Sequence, residues 1–281
     1  MLAYRHAFHA GNHADVLKHL VLVQVLRHMA EKDKPYTLVD THAGAGGYSL
    51  EGRYAHKKDE FAHGIGTLWQ AEGLPAALAD YVALVRQFNG GGSLEQYPGS
   101  PAFAQMLLRP TDRLRLYELH PTDHKILAAY LGQRPQTLVQ MSDGFAAIER
   151  ELPPPSRRGV LLIDPSYELK SDYSKAVAAL REALTRFATG TVLIWLPQVQ
   201  RVEAVELPKR LTTAAAAAPR GWLHAQLHVE PAQGDGFGLT GSSMFVVNPP
   251  FGLKETLDAC LPVLVQRLGR YPGARFTLAA S

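Results

Sequence analysis

Five consecutive apolar residues, Gly159-Val160-Leu161-Leu162-Ile163, stop abruptly at Asp164-Pro165-Ser166-Tyr167. The run is too short for a helix, has no polar alternation, and reads as a buried strand. A carboxylate, a proline and an aromatic ring therefore leave the C-terminal end of one strand together. In open α/β sheets that end is where ligands bind. The plainer alternative is a strand closed by an ordinary turn, because Asp-Pro is a common turn dipeptide. What the rest of the chain supplies decides between the two.

Other strand-like runs lie at 35–40, 114–119, 137–141, 191–196, 223–229 and 244–247. Between them, helical patterns lie near 122–132, 171–188, 200–215 and 253–268, and a first helix spans 13–32 with Asn12 as its cap and one buried face. Alternating strands and helices imply a mainly parallel sheet. The closing strands lack a full helix between them, which predicts an antiparallel hairpin at one edge. This is the layout of a class I S-adenosylmethionine-dependent methyltransferase, a Rossmann-like α/β sheet; a plain dinucleotide-binding domain competes with it. Residues 50–92 break the pattern with charged clusters, a helical stretch near 75–88 and Gly90-Gly91-Gly92. They read as a small helical subdomain inserted into a methyltransferase domain made of 1–49 and 93–281.

Composition narrows the class. In 281 residues, 46% are hydrophobic and 20% charged, enough for a sizeable core and against disorder. The one cysteine, Cys260, excludes a disulfide framework and a cysteine-rich zinc site, and sits in an apolar helical pattern that makes it core. No apolar run is long enough to span a bilayer and no signal peptide is recognisable, so a cytoplasmic enzyme without a membrane partner is expected. A net charge of +3 permits nucleic-acid binding without demonstrating it.

Several strand ends carry chemistry. After the first comes Gly44-x-Gly46-Gly47, a turn that lets backbone approach a ligand, although Ser49 occupies the sixth position of the dinucleotide fingerprint. Glu118 ends the next recognisable strand, where an acid usually holds ribose hydroxyls; the insertion explains its distance from the glycines. Asp143-Gly144 ends the third, where an aspartate can bond an adenine amino group while glycine gives the ring access. Each is weak alone, since Asp-Gly is also an ordinary turn. The ordered series is far more specific.

Asp164-Pro165-Ser166-Tyr167 resembles the Asp-Pro-Pro-Tyr motif of amino-group DNA and RNA methyltransferases. A nucleobase amino nitrogen is a poor nucleophile because its lone pair is delocalised into the ring. Hydrogen bonds to the Asp164 carboxylate and the Pro165 carbonyl would draw it toward a nucleophilic geometry, and Tyr167 could stack on the base. Over essentially its whole length the chain is similar to the large-subunit ribosomal RNA adenine-N6 methyltransferase J family. The stretch from Tyr4 to His19, Asp40-Thr41-His42-Ala43-Gly44-Ala45-Gly46, Tyr97-Pro98-Gly99-Ser100-Pro101 and Asp143-Gly144 carry the resemblance, with Asp164-Pro165-Ser166-Tyr167-Glu168 and Met244-Phe245-Val246-Val247-Asn248-Pro249-Pro250. It implies S-adenosylmethionine contacts at His19, His42, Ser100, Glu118, Asp143, Gly144 and Asp164, catalysis by Asp164, an RNA contact at Tyr4, and adenine 2030 of 23S rRNA as the target. Ser166 departs from the family's second proline. Because the bonding carbonyl belongs to Pro165, the expected consequence is on rate rather than on reaction class.

The N-terminal segment has several readings. His6, His9, His13, Asp15 and His19 could suggest a metal, but only Asp15 and His19 have i,i+4 spacing and no second ligand set follows. Capping or solvated histidines are a second reading. A lid over cofactor and RNA in residues 1–12 is the third; there Arg5 and Lys18 meet phosphates, His6 lies on the RNA side, and Tyr4 stacks or gates. Arg53, Lys57 and Lys58 could extend that surface. No metal is required, and a monomer is expected. The rivals are a DNA amino-methyltransferase, a non-catalytic RNA-binding protein on the same fold, and a nicotinamide-dependent oxidoreductase.

Overall fold

The computed structural model describes residues 6–51, 60–231 and 238–281. Tyr4, Arg5, Arg53, Lys57 and Lys58 lie outside the described residues.

The first helix, α1 (His13–Ala30), starts where Asn12 caps it. The Asn12 side-chain oxygen accepts from the backbone N–H of Ala14 at 2.9 Å and of Asp15 at 3.0 Å, covering two of the four donors a helix start leaves open. The expected single buried face is corrected: α1 is buried nearly all round, Lys18 and His19 included. The reason is its position, with the sheet on one side and other helices against the rest of its surface.

Strand β1 (Thr37–Asp40) leads to a short ribbon strand β2 (Gly47–Ser49). Helices α2 (Ile65–Trp69) and α3 (Ala76–Phe88) follow, before β3 (Gln96–Pro98) pairs back onto β2. Leu78, Tyr81, Val82 and Val85 of α3 join the same apolar cluster as α1. The chain then alternates through α4 (Ser100–Leu107), β4 (Arg113–Tyr117), α5 (Pro121–Leu131), β5 (Thr137–Gln140), α6 (Gly144–Glu151), β6 (Gly159–Ile163), α7 (Lys170–Arg186), β7 (Thr191–Gln198) and α8 (Val202–Ala214). It closes with β8 (Trp222–His228), β9 (Gly241–Val247), α9 (Leu253–Leu268) and β10 (Arg275–Ala280).

Eight strands form one sheet in the order β10-β8-β9-β7-β6-β1-β4-β5. The five from β7 to β5 are parallel, whereas β9 runs antiparallel to both β7 and β8. The mainly parallel sheet with an antiparallel edge is therefore present, extended by β10. Alternate residues serve opposite faces, as the two-residue period requires. Leu38, Leu116, Val160 and Leu162 face the cluster around α1, while Val39, Tyr117, Leu161 and Ile163 face the one around α7. Helices on both sides explain why β6 has no polar residue. Strand order reverses about β1, so the carboxyl ends of β1, β4, β5 and β6 meet at one crevice.

Candidate active site

A cleft of about 810 Å³ opens at that edge. Glu118 follows β4, Asp143 follows β5 and Asp164 follows β6, so three acids line the cleft from three separate strands, while Asp40 ends β1 fully buried behind them.

One half of the cleft gathers Gly44, Glu118, Asp143 and Gly144. The Glu118 carboxylate accepts from the backbone N–H of Gly44 at 2.8 Å and of His120 at 2.6 Å. Burial raises its pKa, while those two bonds favour the charged form. Both oxygens retain lone pairs for hydroxyl groups. Gly44 is at φ +61°, and an added Cβ would lie 2.2 Å from the Tyr48 hydroxyl, so the turn accepts only glycine. Asp143 caps α6 by accepting from Phe145 N–H at 2.9 Å. A Cβ on Gly144 would stand 1.9 Å from the Thr41 carbonyl oxygen, so this wall closes only around a bare backbone. These features fit the adenosine of S-adenosylmethionine.

Thr41 donates its hydroxyl proton to the Leu162 carbonyl at 3.0 Å and so accepts from His42 Nδ1 at 2.8 Å. Burial lowers the His42 pKa to about 4. The ring is neutral with its proton on Nδ1, leaving Nε2 as an acceptor suited to an ammonium group. Ser100, at the start of α4, donates to Asp40 at 2.6 Å, and His42 N–H donates to the same carboxyl at 3.2 Å. Asp40 is fully buried, and its pKa is pushed up to about 7, first by burial and then by the nearby Asp164 charge, against the Ser100 bond. His19 is also buried, with Nδ1 2.7 Å from the Tyr97 hydroxyl. Burial holds its pKa well below the ordinary value, so this ring too is neutral.

The other half centres on Asp164. Lys18 Nζ lies 2.6 Å from Asp164 Oδ2 and 2.9 Å from Asp15 Oδ1. Asp15 also accepts from Gly11 N–H, and its Oδ2 is 2.9 Å from His6 Nε2. Burial opposes the Lys18 ammonium, but the two carboxylates outweigh it and hold its pKa above the usual value. Burial raises the Asp164 pKa, and Lys18 partly offsets that rise. Asp15 is held well below the carboxylate range: burial works upward, but His6 and Lys18 prevail.

Two expectations need correction. Lys18 is not a surface cation reaching for phosphate; it is 4% exposed and already shared between two carboxylates. Tyr167 does not form the cleft wall. It is 3% exposed, its hydroxyl donates to the Trp195 carbonyl at 2.9 Å, and its ring packs 4.7 Å from Tyr173. Its φ of +54° turns the chain so that Pro165 and Ser166 line the cleft while the ring enters the core.

The family described as Ribosomal RNA large subunit methyltransferase D, RlmJ, matches residues 33–278. The chain belongs to the RlmJ family. Ribosomal RNA large subunit methyltransferase J of Escherichia coli (strain K12) is 44% identical over 268 residues, 95% of this chain and 94% of that protein. The protein of the same name from Haemophilus influenzae is 44% identical over 269 residues, with the same coverage. Among solved structures, protein LPL1258 from Legionella pneumophila str. Philadelphia 1 is 32% identical, covers 97% of this chain and 98% of its own, and superposes with a TM-score of 0.88. The sheet is thus that of a class I S-adenosylmethionine-dependent methyltransferase in an RlmJ family chain.

Within this RlmJ family site, sequence reasoning gave no role to Asp40 and weighed Asp15 only as a possible metal ligand. Asp15 holds Lys18 and His6 in place; its i,i+3 spacing from Lys18 was the available signal. Asp40 ties Ser100 to the turn at His42, and its place at the end of β1 marked it.

Proposed function

We propose that this chain transfers a methyl group from S-adenosylmethionine to the exocyclic N6 of one adenine in 23S rRNA, with adenine 2030 as the target the family resemblance implies. The observation that carries the reading is Asp164: a strand-end carboxylate on the wall of a cleft whose other half fits an adenosine, in a chain of the RlmJ family.

S-adenosylmethionine, when bound, supplies a methyl group already activated on a sulfonium. The protein's task is position and electrostatics. Glu118 takes the ribose hydroxyls, Asp143 and the backbone at Gly144 take the adenine ring, and His42, His19 and Ser100 line the amino-acid end. Asp164 and the Pro165 carbonyl accept from the target amino group, which leaves its stack to enter the cleft. Lys18 favours the ionised form of Asp164 and aims it, against its burial, and Asp15 and His6 hold Lys18 in turn. As the amino nitrogen takes the methyl group, the methyl–sulfur bond would break to leave the neutral thioether S-adenosylhomocysteine, and the extra proton on the nitrogen would pass to Asp164 and on to solvent. Tyr4 and Arg5 are assigned to the RNA side, and with Tyr167 in the core, Tyr4 is the better stacking partner. Residues 50–92 serve as the helical insert, no metal takes part, and the enzyme acts as a monomer in the cytoplasm, where ribosomes are made.

The test is transfer of tritiated methyl from S-adenosylmethionine to unmodified 23S rRNA and, in parallel, to duplex DNA. N6-methyladenosine at one rRNA site is expected. Label only in DNA, or none in rRNA while the cofactor binds, would contradict the reading.

A further inference from the structure

The cleft continues past Asp164 to a wall that the transfer reaction does not use. It is formed by His13 on α1, Glu230 just after β8, Leu239 just before β9 and Arg270 between α9 and β10. At 810 Å³ the cleft stands near the top of the range of about 300–1,000 Å³ usual for one ligand. Glu230, Arg270 and Asp164 all line this one cleft, so a base at Glu230 and Arg270 would share it with a base at Asp164.

This wall is built rather than incidental. Arg270 Nη1 lies 3.1 Å from Glu230 Oε1. Both residues are tied down by their backbones: Glu230 N–H donates to the Thr240 carbonyl at 3.0 Å, and Arg270 N–H donates to the Val229 carbonyl at 2.8 Å. Their side chains remain partly open, at 28% and 47% exposure, so each can meet a ligand. His13 Nδ1 is buried without a hydrogen-bond partner among the described residues. Burial pushes the His13 pKa to about 4, so the ring is a neutral wall and not a phosphate-binding cation.

A carboxylate beside a guanidinium presents acceptors next to donors. Among the RNA bases, guanine answers best on its Watson–Crick edge. Its adjacent N1–H and N2–H can both donate to one carboxylate, while O6 accepts from a neighbouring guanidinium. We propose that Glu230 and Arg270, backed by His13 and Leu239, form a second base subsite that holds a guanine flanking the methylated adenine. Specificity would then come from two bases: the target at Asp164 and its neighbour at Glu230. The proposal rests on the rRNA adenine reading above and deepens it.

The test uses the full-length protein and 23S rRNA transcripts carrying each of the four bases at either position flanking the target adenine. Guanine at one flank is expected to give the highest kcat/KM, with the other bases lower by about five- to a hundredfold, the usual effect of one mismatched contact. Glu230→Gln is conservative and partly exposed, so it should fold normally. It should lower the rate on the guanine transcript and level the four bases, with KM for S-adenosylmethionine unchanged. Arg270→Ala should do the same more weakly. Methylation that is indifferent to the flanking base, or a Glu230→Gln effect equal for all four transcripts, would overturn the subsite alone. No methylation of any transcript would remove the rRNA adenine reading and the subsite with it.

Discussion

Replacing Lys18 by methionine keeps most of the unbranched side chain, one atom shorter, and removes its charge. Lys18 and Asp15 are 5% and 1% exposed at their side chains, and Asp164 is 14% exposed. The exposed-pair value of about 0–1 kcal/mol therefore does not apply. Breaking a buried pair leaves an uncompensated charge and costs about 3–5 kcal/mol. Here Asp15 keeps His6 and Gly11 N–H, so the lower end, about 3 kcal/mol, is expected. For a chain of this size that corresponds to a fall of roughly 6–12 °C in Tm. The cost also depends on pH. Burial already raises the Asp164 pKa in the folded protein, and losing Lys18 raises it further. A group whose folded pKa is raised contributes stability that is present below its unfolded pKa and lost as pH climbs through the folded value. The deficit of Lys18→Met should therefore be small near pH 4 and full near pH 8. Urea unfolding of both proteins at these two pH values measures it. A loss under about 1 kcal/mol at the higher pH, or a deficit that grows on acidification, would refute the account of the Asp15–Lys18–Asp164 cluster.

Three further outcomes follow from single residues. Gly144→Ala forces a Cβ against the Thr41 carbonyl and should cost about 1–3 kcal/mol by overpacking, with cofactor binding lost in calorimetry; a stable variant with normal affinity would contradict the wall described for Gly144. Asp143→Ser keeps an acceptor for the α6 cap and should leave stability within about 0.5 kcal/mol, whereas Asp143→Ala loses about 1 kcal/mol; both should bind S-adenosylmethionine about tenfold more weakly through one lost hydrogen bond, and equal affinities would remove Asp143 from the cofactor site. For Asp40, pushed from 3.8 to about 7 by burial, the associated stability is complete below the unfolded pKa and is lost as pH rises through about 7; Asp40→Asn should flatten that decline in urea titrations, and an unchanged slope would contradict it.

The centre of the sheet was legible because a strand such as β6 is an uninterrupted apolar run that ends at an acid, whereas β10, with its exposed alternating residues, gave no such signal. Helix α1 was legible in extent through Asn12 and its apolar spacing, but not in burial, because which sides a helix covers depends on elements far along the chain. Helices α4 and α6 are only eight residues long and gave no periodic signal; only their starts, Gly99-Ser100-Pro101 and Asp143-Gly144, were visible. Of the residues proposed to hold the cofactor, Gly44, Glu118, Asp143 and Gly144 stood out by their strand ends, whereas His19, His42 and Ser100 came only from the family resemblance. The Lys18–Asp164 pair joins residues 146 positions apart, and nothing local couples them. Tyr167 was misread for a related reason: its residue type suggests stacking, while its positive φ, set by the turn, sends the ring into the core.

The most direct test of the central claim compares the wild-type protein with Asp164→Ala in tritiated methyl transfer to unmodified 23S rRNA, alongside cofactor binding by calorimetry. A carboxylate that holds the amino group and takes its proton should account for about a hundredfold or more in rate. The account predicts N6-methyladenosine from the wild type and at least that loss in Asp164→Ala, with S-adenosylmethionine binding weakened but still measurable. Turnover of Asp164→Ala within a few-fold of wild type would contradict it.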